Sequence, residues 1–81
     1  MVKAKYFGTY KKEFGISEDS FKAGSVSELL KAVADKYNKD IRAIESAVIF
    51  VNDISINQLE GYKTKLKDKD EVLIISPASM G

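Results

Sequence analysis

The chain has 81 residues, 44% hydrophobic and 31% charged, a composition that describes one folded domain: a chain this short buries only about 60% of its unfolded surface and has room for a single core. Thirteen basic residues against twelve acidic ones leave a formal charge of +1, which argues against a general polyanion binder. There is no cysteine and no histidine, so a disulfide framework, a thiolate nucleophile, the usual neutral-pH proton shuttle and the commonest metal ligand are all missing, a poor basis for a self-sufficient enzyme.

The opening VKAKYF alternates, with Val2, Ala4 and Tyr6 on one side and Lys3 and Lys5 on the other, the period of a strand with one buried face. GTYKKEFG carries Gly8 and Gly15 at its ends and reads as a loop. A second strand over residues 17–23 would return as the hairpin partner of the first. Ser25-Val26-Ser27-Glu28 fits the S-x-x-E capping box that opens a helix. Val26, Leu29, Leu30, Val33 and Tyr37 then recur as one apolar helical stripe, and Asn38 supplies a left-handed stop. Residues 40–46 add a further helical turn.

AVIFV is a short, β-branched apolar run and reads as a buried strand. Asn52-Asp53 tolerates the positive φ of a tight turn, and ISINQ alternates as a short return strand. The stretch LEGYKTKLKDKDE is polar and lysine-rich, a surface connection with a turn over residues 67–70. The last strand, residues 71–76, is apolar on both faces, which places it in the middle of its sheet. The order β-β-α-β-(β)-β, with the single main helix as crossover between parallel neighbours, defines an α+β fold: a mixed sheet with one helix across it, the β-grasp plan of ubiquitin-like domains. Residues 1–76 form the domain and 77–81 a flexible C-terminal tail.

The lysines Lys63, Lys65, Lys67 and Lys69 alternate, but Asp68, Asp70 and Glu71 partly cancel them; a solvated edge accounts for them better than a nucleic-acid strip. Glu13, Glu18, Asp19, Asp53, Glu60 and Asp70 lack the spacing of a metal loop and read as surface carboxylates, so no metal site is expected. No apolar run approaches the roughly 18 residues of a membrane span, and MVKAKYFGTY lacks the apolar stretch of a secretory signal. The expectation is a cytoplasmic protein with neither membrane nor nucleic acid among its partners.

From end to end the chain resembles the MoaD/ThiS family, the sulfur carriers that include the small subunit of molybdopterin synthase. MVKAKYFG is similar to the family's opening strand, KKEFG to its polar loop, SVSELLKAVADKY to its helix and VIFVND to the strand ending in Val-Asn. LKDKDEVLIISPASMG is similar to its last turn, strand and tail. The family's usual form there is L-x-D-G-D-E-V, apolar residues, then P-x-x-G-G. Lys69 stands in place of the turn glycine, and Met80 in place of the penultimate one.

The resemblance implies that the reactive group is the Gly81 α-carboxylate, adenylated and then converted to a thiocarboxylate that donates sulfur in molybdopterin (molybdenum or tungsten cofactor) biosynthesis. Pro77, Ala78, Ser79 and Met80 would be the tether. One face of the last strand, Leu73 with Ile75 or Val72 with Ile74, would join Phe7 or Tyr6 in a partner-docking patch, with Phe7, Leu73 and Ile75 the expected set, unless loops and the other helical turn cover both faces. The implied partners are a large MoaE-like catalytic subunit, an adenylating enzyme similar to MoeB, and a sulfur donor. ATP and magnesium would be used by the activating enzyme, with no cofactor bound to this chain. The chain would be no enzyme alone but the small subunit of a synthase-type complex. Two other readings stay open: a ubiquitin-like modifier conjugated through Gly81, and a non-reacting β-grasp binding module in which Met80 blocks activation.

Overall fold

The computed structural model describes residues 1–77; Ala78, Ser79, Met80 and Gly81 lie outside the described residues. Strand β1 (Val2–Phe7) buries Val2, Ala4 and Tyr6 and turns Lys3, Lys5 and Phe7 to its other face. The expected loop after it is in fact a short helix, α1 (Thr9–Phe14). The two glycines that suggested a loop are its ends: both sit at φ 71°, and the Gly15 N–H closes on the Lys11 carbonyl at 3.1 Å, a left-handed stop in which glycine carries no Cβ penalty. Tyr10 and Phe14, four residues apart on one helical face, supply the reason for folding. Tyr10 is buried and the two rings stack at 5.6 Å.

Strand β2 (Glu18–Phe21) returns antiparallel to β1, with Val2 opposite Phe21 and Lys5 opposite Glu18. Helix α2 (Val26–Lys36) begins at the expected cap: the Glu28 N–H donates to Ser25 Oγ at 3.2 Å, while the Glu28 carboxylate accepts the Gly24 N–H at 2.6 Å. Its stripe of Val26, Leu29, Leu30 and Val33 is fully buried. The chain then turns at Asn38, φ 54°, into α3 (Ile41–Glu45), capped by Asp40 and anchored by buried Ile44.

Strand β3 (Val48–Val51) is followed by the Asn52-Asp53 turn, both residues at positive φ. The expected return strand shrinks to two residues, β4 (Ile54–Ser55), because the backbone coils at once into a 3-10 turn over Ile56–Gln58 that buries Ile56. The lysine-rich connection is also less solvated than its composition implies. It carries a second 3-10 turn, Gly61–Lys63, and then buries Thr64 and Leu66. The Val26 N–H donates to the Thr64 carbonyl at 2.9 Å and the Leu66 N–H to Gly24 at 3.0 Å, so this segment straps the start of α2 to the body of the domain.

Strand β5 (Glu71–Ile75) lies in the middle of the sheet, whose order is β2-β1-β5-β3-β4. It runs parallel to β1, from Lys3 opposite Glu71 to Phe7 opposite Ile75, and antiparallel to β3, from Val51 opposite Val72 to Val48 opposite Ile75. The segment between the β1–β2 hairpin and β5 therefore makes the crossover that a parallel pair requires. Val72 and Ile74 join Val2, Ala4, Tyr6 and Ile49 beneath the apolar face of α2, and this layer is the core.

Candidate functional site

The described chain leaves the sheet from its central strand. Beyond β5, the Ser76 N–H donates to the Phe7 carbonyl at 3.3 Å, and Ser76 Oγ accepts the Thr9 N–H at 3.0 Å. Ser76 is only 1% exposed, so the last residue before the tail is held between the end of β1 and the first turn of α1. Pro77 follows and is exposed; it has no N–H with which to extend a ladder. Of the predicted tether, Pro77 alone is described, and Ala78, Ser79, Met80 and Gly81, the residue expected to react, fall outside the described residues.

The predicted docking residues fall on one surface. Phe7, Leu73 and Ile75 all project from the sheet face opposite the core: Phe7 is 44% exposed, and Leu73 and Ile75 are partly exposed. Phe7 sits opposite Ile75, which in turn sits opposite Val48, and Leu73 sits opposite Phe50. Val48 and Phe50, both half-buried, therefore complete an apolar patch that sequence reasoning missed. The signal was the alternation of VIFV: once Ile49 and Val51 are core, Val48 and Phe50 must face the other way. Tyr6, by contrast, is 1% exposed and belongs to the core.

The patch has a charged border toward the other end of the sheet. Lys5 Nζ lies 2.9 Å from the Glu71 carboxylate and Lys3 Nζ 3.3 Å from Glu18. The hydrogen bond from Lys5 holds the Glu71 carboxyl below its ordinary value, and the same bond raises the Lys5 ammonium. One face thus grades from ion pairs at the start of β5 to apolar side chains at its end, beside the base of the tail.

One carboxylate read as surface is not. The Asp19 side chain is 7% exposed; it accepts the Tyr6 hydroxyl at 2.9 Å, the Tyr37 hydroxyl, and the Lys36 ammonium at 2.6 Å. Burial pushes its pKa up, but the bonds from Lys36, Tyr37 and Tyr6 together outweigh that and hold it below the usual carboxylate value. Burial in turn raises the Tyr6 and Tyr37 phenols, helped by their bonds to Asp19. Phe14 stacks on Tyr37 at 4.1 Å and meets Tyr6 edge-on at 4.9 Å. This cluster ties β2, α1 and the end of α2 together. All its polar atoms are committed to one another, so it is a joint rather than a reaction centre.

Among the described residues no group of three or more His, Cys, Asp or Glu side chains could hold a metal ion, and no helix is long and apolar enough to cross a membrane. A cleft of about 330 Å³ between α2 and α3 is lined by Leu30, Ala34 and Ile41 with Lys31, Asp35 and Lys39 around them. Ser27 and Glu45 complete its lining, and among the described residues no hydrogen bond joins the Ser27 hydroxyl to a base.

The sheet order, the crossover helix and the centrally placed last strand define an α+β protein of the β-grasp, ubiquitin-like class. A sequence profile of the ThiS family matches residues 4–81, and the chain belongs to that family of β-grasp sulfur carriers. Its backbone is similar to the solution structure of the small archaeal modifier protein 1 from Methanosarcina acetivorans, with a TM-score of 0.85 and 29% identity over 99% of this chain and 95% of that one. It is also similar to a putative molybdopterin converting factor subunit 1 from Pyrococcus furiosus, with a TM-score of 0.79, 23% identity, and coverage of 94% and 95%. A chain of the complex of subunits 1 and 2 of the molybdopterin-converting factor from Helicobacter pylori matches with a TM-score of 0.64, 24% identity, and coverage of 94% and 92%. A comparison with curated protein sequences returned no match.

Proposed function

We propose that this chain carries sulfur as a thiocarboxylate at Gly81 and donates it in the assembly of a molybdopterin-type cofactor, in the cytoplasm. The observation that carries the reading is the built end of β5. Ser76 is clamped between β1 and α1, Pro77 ends the ladder, and the patch of Phe7, Leu73, Ile75, Val48 and Phe50 lies alongside. A stiff scaffold of that kind holds a short peptide at a fixed point relative to a docking surface, and positioning is what a reacting terminus needs.

The chemistry needs no side chain of this protein. A carboxylate is a poor electrophile, so an activating enzyme similar to MoeB, with ATP and magnesium, would let a Gly81 oxygen attack the α-phosphorus. Pyrophosphate leaves and an acyl-adenylate forms. A sulfur donor then displaces AMP, leaving a thiocarboxylate that is nucleophilic at neutral pH. A larger MoaE-like subunit would bind the pterin acceptor, and this chain would be its consumable co-substrate. The likeness to a molybdopterin converting factor subunit, and to one seen in a complex of its two subunits, supports this choice of partner.

A second reading has its own support. The 29% identity to a small archaeal modifier protein favours a modifier whose activated Gly81 is captured by a lysine amine instead of a sulfur donor. Intact-mass spectrometry of the protein from its native host separates the two. Replacement of one oxygen by sulfur on the free chain is the expected result, and isopeptide adducts through Gly81 without any sulfurated free chain would overturn it. Met80 adds a graded test: Met80→Gly should speed sulfuration if the side chain narrows passage into the activating enzyme, while deletion of Gly81 should abolish it without altering the fold. A Gly81 deletion that behaves as the intact chain would instead leave a non-reacting module.

A further inference from the structure

The β2 edge of the sheet has no strand beyond it among the described residues. The phase of its backbone can be read from the pairing with β1. The Tyr6 N–H donates to the Ser17 carbonyl at 2.9 Å, and the same register sets Ala4 opposite Asp19 and Val2 opposite Phe21. Hydrogen-bonded pairs alternate with non-bonded pairs in an antiparallel ladder, so Asp19 and Phe21 direct their backbone groups at β1. Glu18 and Ser20 direct theirs outward, and Lys22, the first residue beyond β2, continues that phase when the strand is extended by one residue. Lys3, opposite Ser20, fits this phase, because its N–H turns the other way to the Asp70 carbonyl at 2.9 Å.

Charges on an exposed edge ordinarily prevent pairing between copies, and they do so by meeting charges of the same sign. Here the two edge charges are opposite in sign and stand symmetrically two residues either side of Ser20, all three residues exposed. We propose that β2 pairs antiparallel with β2 of a second copy of this chain, with Ser20 opposite its own counterpart on the two-fold axis. In that register Glu18 of each copy lies opposite Lys22 of the other; these pairs and the Ser20 pair exchange the backbone hydrogen bonds, while Asp19 lies opposite Phe21 of the other copy as the non-bonded pair between them. Sliding the copies by two pairing steps in one direction sets Glu18 against Glu18, and in the other Lys22 against Lys22. Charge thus selects the central register.

The inward side of the seam is already neutralised, since Asp19 is bonded to Lys36, Tyr6 and Tyr37. Glu18 keeps about half its side chain exposed even with Lys3 at 3.3 Å, which leaves an oxygen for the partner's lysine. The pairing is isologous. It joins the two sheets edge to edge, with both α2 helices on one side and both open faces on the other. Because β1 separates β2 from β5, the base of each tail stays clear of the seam. Short strands bury less than a standard interface, so the association is weak and falls as salt screens the two ion pairs.

Sedimentation equilibrium of the full chain at low ionic strength tests this. The native chain should show reversible dimerisation at high concentration. E18K alone and K22E alone should each weaken it by roughly tenfold, as two attractive cross-strand pairs become repulsive. The E18K/K22E double variant should regain it, and so should an equimolar mixture of the two single variants, whose edges complement each other. Circular dichroism of each variant controls for folding. A native chain that stays monomeric at millimolar concentration overturns the proposal, as do single variants that associate as well as the native chain or a mixture that does not associate.

Discussion

Side chains leave β5 in two directions and meet different fates. Val72 and Ile74 pass under α2 and Ser76, just beyond the strand, is clamped against α1, all three almost wholly excluded from solvent, whereas Glu71, Leu73 and Ile75 project from the other face and stay open or partly open. Both sets except Glu71 and Ser76 are apolar, so hydropathy alone does not tell them apart. A central strand is normally apolar on both sides because both sides are covered; here one long helix can cover only one. The apolar residues left on the other face are surplus to the fold, and that surplus is where the proposed docking surface lies.

The comparison breaks most visibly at adjacent residues of the same type. Ile74→Ala removes a fully buried side chain and should cost about 3 kcal/mol of stability by urea unfolding. Ile75→Ala, one residue along and on the open face, should cost less than about 1 kcal/mol yet slow adenylation by the activating enzyme. Phe50→Ala and Leu73→Ala should behave like Ile75→Ala. Equal losses of stability at positions 74 and 75, with no effect on adenylation, would dissolve the distinction between the faces.

Asp19 tests the same boundary at the β2 side of the sheet. Asp19→Ala leaves the buried Tyr6 hydroxyl without its acceptor and should cost about 2 kcal/mol. Lys36→Ala removes a half-exposed partner and should cost less than about 1 kcal/mol. The pH dependence follows from the shifts. The folded-state pKa of Asp19 lies below the ordinary carboxylate value of 3.8, so its contribution is present above that value and is lost as pH falls through the depressed pKa. Burial raises the Tyr6 and Tyr37 phenols above their ordinary value of 10.0. The folded state therefore holds their protons longer, and stability declines as pH rises past about 10. Asp19→Asn should flatten the acid limb of a stability profile and leave most of the cluster's packing in place.

How much of this was legible depends on whether the governing contact was local. The start of α2 was readable because a capping box is a four-residue event, Ser25 to Glu28. The central place of β5 was readable from its two-sided apolar pattern. Helix α1 was not, because its glycines look the same as loop ends or as helix ends. Only the i, i+4 pair Tyr10 and Phe14, packing on Tyr37 from a distant helix, decides between them. Asp19 was read as surface for a related reason: its partners Tyr6, Lys36 and Tyr37 come from 13 to 18 residues away, and no spacing rule joins them. At the site, Phe7, Leu73 and Ile75 followed from alternation, while Val48 and Phe50 needed the register of β3 against β5.

The smaller effects lie where the chain enters these elements. Ser25→Ala removes the acceptor for the Glu28 N–H at the start of α2 and should cost about 1 kcal/mol, visible as a lower urea midpoint with an unchanged slope.

The smallest effect has the opposite sign and belongs to the far end of β5. Lys69 precedes that strand at φ 75°, a left-handed conformation that costs a residue with a Cβ about 1 kcal/mol, in the turn where the family resemblance implies glycine. Its backbone is held there by the N–H bond to the Met1 carbonyl at 2.9 Å and by the Asp70 carboxylate, which accepts the Lys67 N–H at 2.8 Å. Lys69→Gly keeps both bonds, relieves the strain, and loses part of that gain to the greater freedom of glycine in the unfolded chain. A net stabilisation of about 0.5 kcal/mol is expected, again as a shifted urea midpoint. Lys69→Ala is the control, since it removes the ammonium but keeps the Cβ and should gain nothing. If alanine stabilised the chain as much as glycine, the cause would be charge crowding with Lys67 rather than backbone strain. The two ends of β5 would then differ in electrostatics alone: a strained, tightly bonded turn at Glu71 would no longer stand opposite the clamped release point at Ser76.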